Sequence, residues 1–250
     1  MAALRRGIAP HAALQHLRTR TAHALARRAH DLLAFLLPQR CPGCGAAADA
    51  TLVLCDRCRA RLQPLAGALC ARCLLEDRPP DGCVRHPHDQ VHAAWLYDEL
   101  VASVLHPFKF GDRPGLAPVL AHGLAARLAT LRRPGLLVTA VPLHRARRRE
   151  RGYDQAAMLA ECVAERLAVP FVPGVLERAR ATRAQSTLGP EARRRNLAGA
   201  FRLAHPASLK GRDILIVDDV LTTGATLHEA MRTLRAAGAR PHGAAVAWAQ

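Results

Sequence analysis

From about residue 91 onward the chain alternates short aliphatic runs with longer stretches of helical period. The runs at 91–97, 136–141, 171–176, 201–203, 214–217 and 242–248 predict strands, and those around 114–132, 153–168 and 225–237 predict helices. In the last of these helices Leu227, Ala230, Met231, Leu234 and Ala237 fall on one stripe, and Gly238 stops it. Alternation of this kind predicts an α/β fold, a mostly parallel sheet flanked by helices. The first 38 residues read differently. Leu14, Leu17, Thr21, Leu25, Leu32 and Leu36 recur near helical period between Pro10 and Pro38, predicting a basic amphipathic helix. Such a helix packs on the rest of the protein or, given Arg18, Arg20, Arg27 and Arg28, lies on a membrane surface. Residues 39–90 follow neither pattern, being rich in Cys, Gly and Pro. Three segments result: 1–38, 39–90 and 91–250.

Composition narrows the classes. Half of the 250 residues are apolar, enough for a sizeable core and too many for general disorder. Aromatics make up 4%, which argues against recognition by stacked rings. Lys and Arg total 36 against 20 Asp and Glu, a net charge of +16 that favours polyanionic partners. Only Lys109 and Lys210 are lysines, so base composition accounts for part of that excess. No apolar run approaches the roughly 20 residues of a membrane helix, and no signal peptide is visible. A cytoplasmic protein is expected.

The cysteines are the sharper signal. Seven of eight lie between Cys41 and Cys83, and Cys162 falls within a helical pattern. Without an export signal, clustered thiols read as metal ligands before disulfides. Cys41-Pro-Gly-Cys44 and Cys55-Asp-Arg-Cys58 are two Cys-x-x-Cys knuckles ten residues apart, the spacing of a structural zinc ribbon. A redox dithiol would need one such pair at a helix start. Cys70-Ala-Arg-Cys73 and Cys83-Val-Arg-His86 repeat the arrangement with His86 as fourth ligand, His88 being the alternative. Four protein ligands close a site, so zinc here would be structural.

The most informative stretch is Ile214-Leu-Ile-Val-Asp218-Asp219-Val-Leu-Thr222-Thr223-Gly224-Ala225-Thr226. A buried parallel strand delivers two carboxylates to its C-terminal end, where ligands bind in open α/β sheets. The hydroxyl- and glycine-containing turn then enters a helix. Its N–H groups, with Thr222, Thr223 and Thr226, form a phosphate seat. Two carboxylates beside that seat repel phosphate but can accept the hydroxyls of a ribose that carries it. A magnesium strand of nucleotidase type is the rival, but neither a Walker loop nor a G-x-G-x-x-G loop is present.

This stretch resembles the phosphoribosyl pyrophosphate signature of type I phosphoribosyltransferases. The chain from about residue 35 is similar to the ComF family of bacterial competence-related proteins (ComFC/GntX-like). The resemblance extends to His106-Pro-Phe-Lys109-Phe-Gly, to the run from Val141 through Gly152-Tyr-Asp-Gln155, and to Gln185 through Phe201. It departs at Asp154, where Asn is usual, and at His86, where Cys is common. It implies an N-terminal double zinc-ribbon module and a phosphoribosyltransferase-like domain that binds phosphoribosyl pyrophosphate with magnesium. Asp218 and Asp219 would accept ribose hydroxyls, and Thr222, Thr223, Gly224, Ala225 and Thr226 would hold the 5′-phosphate. His144, Arg145, Arg151 and Gly152 would belong to the pyrophosphate loop. The five arginines from 145 to 151 fit a pyrophosphate through guanidinium forks, and fit nucleic acid as well. The six from 178 to 195 fit a closing loop or a polyanion surface. Two function classes follow. One is a transferase acting at C1 of phosphoribosyl pyrophosphate. The other is a non-catalytic adaptor for single-stranded DNA, or for a helicase or processing protein of DNA uptake, built on the same fold.

Overall fold

A computed structural model describes residues 40–48, 54–110, 113–143, 152–179, 198–204 and 209–250. The predicted helix of residues 1–38 lies outside them. By contacts the chain divides into Met1–Asp56 and Arg57–Gln250, whereas composition changes near residue 90.

In the first unit the Cys41-Pro-Gly-Cys44 knuckle is a tight turn. Gly45 N–H donates to the Cys41 carbonyl at 2.8 Å, and Cys41 N–H donates to Ala46 O at 2.8 Å. Helix α1, Asp56–Ala60, begins at the unit boundary.

The second unit contains a five-stranded sheet. Its strands are β1 (Leu69–Cys70), β2 (Gln90–Leu96), β3 (Leu137–Ala140), β6 (Asp213–Leu221) and β7 (Arg240–Trp248), in the order β1-β2-β7-β6-β3. All pairings are parallel except β1 with β2. Between β1 and β2 lies α2 (Ala71–Leu75); α3 (Glu99–Phe110) and α4 (Ala117–Leu128) follow β2. Helix α5 (Gln155–Leu167) follows β3, and α6 (Ala225–Ala236) joins β6 to β7. A separate hairpin pairs β4 (Leu176–Arg178) with β5 (Phe201–Leu203).

The central strands are buried on both faces, which explains their continuous aliphatic reading: Ile214, Leu215, Ile216 and Val217 have no exposed surface. On one face Ile214, Ile216 and Ala245 meet Leu227, Ala230, Met231 and Leu234 of α6, with Phe201 from the hairpin. On the other, α4 and α5 supply Leu120, Leu124, Leu128, Leu159 and Val163, all buried. Each such side chain stabilises by about 1.5–3 kcal/mol on leaving water. Gly123 in α4 serves a close approach, since a β-carbon there would lie 2.0 Å from the Trp95 ring of β2.

Two expectations differ from the fold. Of the strand predicted at 171–176, Phe171 makes only an isolated bridge to Val138, and the strand itself starts at Leu176. Pro170 accepts from Val138 N–H, and the intervening turn contains Pro173 and Gly174 at φ 69°, so pairing there cannot run on. Helix α3 is not among the expected helices, and Pro107 sits inside it. Its missing N–H falls in the last turn of a helix whose Leu100, Val101, Val104, Leu105 and Phe108 are buried, and that burial outweighs the lost hydrogen bond. No helix among the described residues is long and apolar enough to cross a membrane.

Candidate functional site

Strand β6 carries the acid pair, and it runs four residues beyond the strand expected at 214–217. On one side it stays paired with β7 to Leu221, and Asp218 stands opposite Ala245. On the other side β3 ends at Ala140 opposite Val217. Asp218 and Asp219 therefore emerge where β6 has lost one neighbour, in a notch at the C-terminal edge of the sheet. The Asp218 carboxylate turns back to accept Asp219 N–H at 2.9 Å. Asp219 receives Lys109 of α3, with Nζ to Oδ1 at 3.0 Å. Burial, and after it the charge of Asp219, push the Asp218 carboxyl up to about 7, against the Asp219 N–H, Lys109 and Arg178. The Asp218 carboxyl thus holds a proton readily near neutrality.

Past Leu221 the chain turns through Thr222 and Thr223 to Gly224, which is left-handed at φ 72° and precedes the first turn of α6 without a side-chain cap. Only a residue without a β-carbon enters that turn without strain. N–H groups at a helix start suit a phosphate. Thr222 is exposed, Thr223 and Thr226 are half-buried, and Gly224 and Ala225 are buried. The acid pair and the threonine turn thus occupy one continuous stretch at one sheet edge. Of the pyrophosphate-loop candidates, His144, Arg145 and Arg151 lie outside the described residues, as does nearly all of 178–195. Gly152 is described, exposed and left-handed at φ 74°.

Two residues here stood in segments that the sequence had marked, but not as neighbours of the acid pair. Lys109 belongs to the His106-Pro-Phe-Lys109-Phe-Gly segment, and Arg178 is the first of the six arginines from 178 to 195. Arg178 ends β4 with its guanidinium 5.6 Å over the Phe201 ring, and nothing local marked it as a neighbour of Asp218.

A cleft of about 500 Å³ lies at the opposite edge of the sheet, among the amino ends of β2, β6 and β7. There Arg240 and Arg133 both bind Asp213, holding its carboxyl well below the usual range. Its charge is engaged in tying β6 to β7.

The cysteines form two clusters. Ligand atoms of Cys41, Cys44, Cys55 and Cys58 lie within 4.8 Å of one another, as do those of Cys70, Cys73, Cys83 and His86. A tetrahedral zinc site requires about 3.8 Å between sulfurs and about 3.6 Å from sulfur to imidazole nitrogen. Cys44 and Cys55 sulfurs are 3.6 Å apart, and those of Cys73 and Cys83 3.4 Å. His86 Nδ1 is 3.5, 3.6 and 3.5 Å from Cys70, Cys73 and Cys83. His86 therefore completes the second quartet. His88 instead gives its carbonyl to Arg235. Cys73 N–H donates to the Cys70 sulfur at 3.4 Å, as in a metal knuckle. Burial, and then the sulfurs of Cys83 and Cys70, push the Cys73 thiol up to about 12, a repulsion that a dication would relieve. At Cys41 burial opposes ionisation, but N–H groups of Cys55, Gly43 and Cys44 outweigh it and bring the thiol down to about 6. Both donor sets fit zinc.

Known proteins agree with this architecture. The double zinc ribbon domain matches residues 32–83, and the phosphoribosyl transferase domain matches 154–250. A relative from Escherichia coli O157:H7, named DNA utilization protein YhgH, is 33% identical over 206 residues, covering 80% of this chain and 85% of its own. The chain belongs to the ComF family. Competence protein F of Haemophilus influenzae is 32% identical, covering 74% of this ComF-family chain and 79% of its own. ComFC of Bacillus subtilis is 25% identical, covering 72% and 77%. Among solved structures, adenine phosphoribosyltransferase from Leishmania tarentolae covers 64% of this chain and 78% of its own at 14% identity, with a TM-score of 0.35. A score of that size carries no weight alone. The domain match and the sheet order show the fold. This is a ComF-like, phosphoribosyltransferase-type protein with an N-terminal double zinc ribbon. The double ribbon and the two quartets together point to structural zinc.

Proposed function

We propose that this ComF-family protein binds 5-phosphoribosyl pyrophosphate, or a ribose 5-phosphate group, in the notch at the end of β6. Asp218 and Asp219 accept the ribose 2- and 3-hydroxyls, and the turn from Thr222 to Thr226 holds the 5′-phosphate. One observation carries this reading: an acid pair released from the sheet on one side runs directly into a left-handed, uncapped turn at the start of α6. A bare phosphate would be repelled by the acids, and a bare diol would not need the turn. A sugar phosphate satisfies both. Magnesium, arriving with the diphosphate, would neutralise its charge. Transfer would displace pyrophosphate from C1 by a nitrogen nucleophile, the C–N bond forming as the C–O bond breaks. The protein's part is to position the ring and to offset charge. Binding of ribose 5-phosphate and of phosphoribosyl pyrophosphate with magnesium, followed by titration calorimetry, tests the site. Micromolar affinity lost in Asp218→Ala/Asp219→Ala supports it, and equal affinity in that variant refutes it.

A second reading, a non-catalytic adaptor for single-stranded DNA, is favoured by the +16 charge and by relatives named for DNA utilization and competence. DNA binding that falls steeply with salt and ignores the acid-pair variant would support it.

A further inference from the structure

We propose that Lys109 is the positioning residue that lets the acid pair receive a polyanion, holding Asp219 in place and cancelling one of two adjacent negative charges. The inference rests on the sugar-phosphate reading and adds the source of its charge balance. Two neighbouring carboxylates alone would accept a neutral diol and resist a phosphorylated one. With an ammonium 3.0 Å from Asp219 Oδ1 the cluster carries one net negative charge fewer. The side chains of Lys109 and Asp219 are 20% and 18% exposed, so solvent screens the contact only partly.

The lysine is anchored from its backbone. Tyr153 OH donates to the Phe108 carbonyl, and Gln155 Nε2 donates to the Lys109 carbonyl at 3.3 Å. Gln155 is 2% exposed, and Asp154 between them caps α5 by accepting Ala157 N–H at 3.1 Å. These three residues directly follow Gly152, where the arginine-rich stretch ends. Residues 153–155 thus join the start of α5 to the last turn of α3, which carries Lys109. Pro107 and the fully buried Phe108 stiffen the same turn. Among 36 basic residues only two are lysines, so composition alone would place arginine here. Among the described residues the charged groups facing Asp218 are Asp219, which raises its proton affinity, and Lys109 and Arg178, which lower it. Lys109 lies outside residues 154–250, which the phosphoribosyl transferase domain match covers.

The test uses the full chain with Lys109→Met and Lys109→Arg, their folding checked by thermal melts. Carboxyl carbon NMR of the ligand-free protein follows titration of the acid pair, and calorimetry follows ribose 5-phosphate. Lys109→Met is expected to raise the titration midpoint by about one pH unit and to weaken binding at least about tenfold at pH 7.5. Lys109→Arg is expected to restore both in large part. An unchanged midpoint in Lys109→Met, with or without loss of affinity, overturns the proposal, since a merely structural lysine would leave the acids' titration alone. If Lys109→Met fails to fold, an Arg variant whose midpoint and affinity are wild-type supports it, and one that folds but binds tenfold worse overturns it. Failure of the underlying reading looks different: wild-type protein would not bind ribose 5-phosphate, or Asp218→Asn/Asp219→Asn would bind it equally well. That result overturns both.

Discussion

Gly224 and Ala71 meet backbone to backbone: a β-carbon on Gly224 would stand 2.7 Å from the Ala71 carbonyl oxygen and 3.2 Å from its Cα. Gly224 opens the helix of the proposed phosphate seat, and Ala71 lies between Cys70 and Cys73 of the second quartet. Arg235, farther along α6, adds an ion pair to Asp89 at 2.9 Å and a hydrogen bond to the carbonyl of His88. The second knuckle is thus a buttress for α6.

Gly224→Ala should therefore damage both partners. The new methyl faces a backbone that cannot rotate away, and φ 72° is itself strained for alanine. Destabilisation of about 2–4 kcal/mol is expected in urea unfolding of the zinc-loaded protein, with weaker ribose 5-phosphate binding. Wild-type stability would show that the two backbones separate readily.

Loss of the second zinc should reach the same seat. Cys73→Ser is expected to lower metal content by one equivalent per chain in atomic emission. Ribose 5-phosphate affinity should fall at least about tenfold, because Ala71 loses its fixed position when the knuckle opens. A variant that loses the equivalent yet binds ribose 5-phosphate normally would disprove the buttress.

On the proposed reading the acid pair should make binding depend on pH. Asp218 titrates near 7 in the fold because burial and Asp219 disfavour its anion. Its ordinary value is about 3.9, so the protonated native form is favoured, and the carboxyl's stabilising contribution is lost as pH rises from about 4 to about 7. Asp218→Asn should be more stable than wild type at pH 8 by about 1–3 kcal/mol, and the gap should close toward pH 4. Sugar binding runs the other way. An ionised acceptor is required, so affinity should rise by up to about tenfold per pH unit between 6 and 7. A flat profile would mean the diol is held elsewhere.

His92 predicts acid sensitivity of a separate origin. It is 9% exposed on β2, and neither ring nitrogen has a hydrogen-bond partner among the described residues. Burial, then the charges of Arg127 and His242, bring its pKa to about 4. A histidine held neutral contributes stability that is present above its ordinary value of about 6.5 and is lost as pH falls from there to about 4. Between pH 7 and 5 wild type should lose about 2 kcal/mol that His92→Leu does not. Parallel unfolding free energies for the two proteins over that range would rule this out.

Much of the site could be read locally. Asp218, Asp219 and the turn to Thr226 are contiguous, so a strand, two acids and a glycine turn were recognisable without any partner. The quartets are two spaced pairs each, and spacing sufficed to find seven thiols and His86, though not to choose between His86 and His88. Helix α3 is not among the expected helices, and its Pro107 signals a stop wherever burial does not override it. That Lys109 pairs with Asp219 and Arg178 acts on Asp218 could not be read, because those relations span long stretches of chain and leave no local pattern.

The order of residues alone determined the four parallel strands, the helices α4, α5 and α6, and which donors stand in metal spacing, because each follows from periodicity or short-range geometry. Tertiary structure decided how far β6 runs past its neighbour, which cation faces Asp219, and that a cysteine knuckle supports the helix behind the threonine turn. Those are through-space distances between remote segments. They are set by how the layers pack, and no neighbour in the chain encodes them.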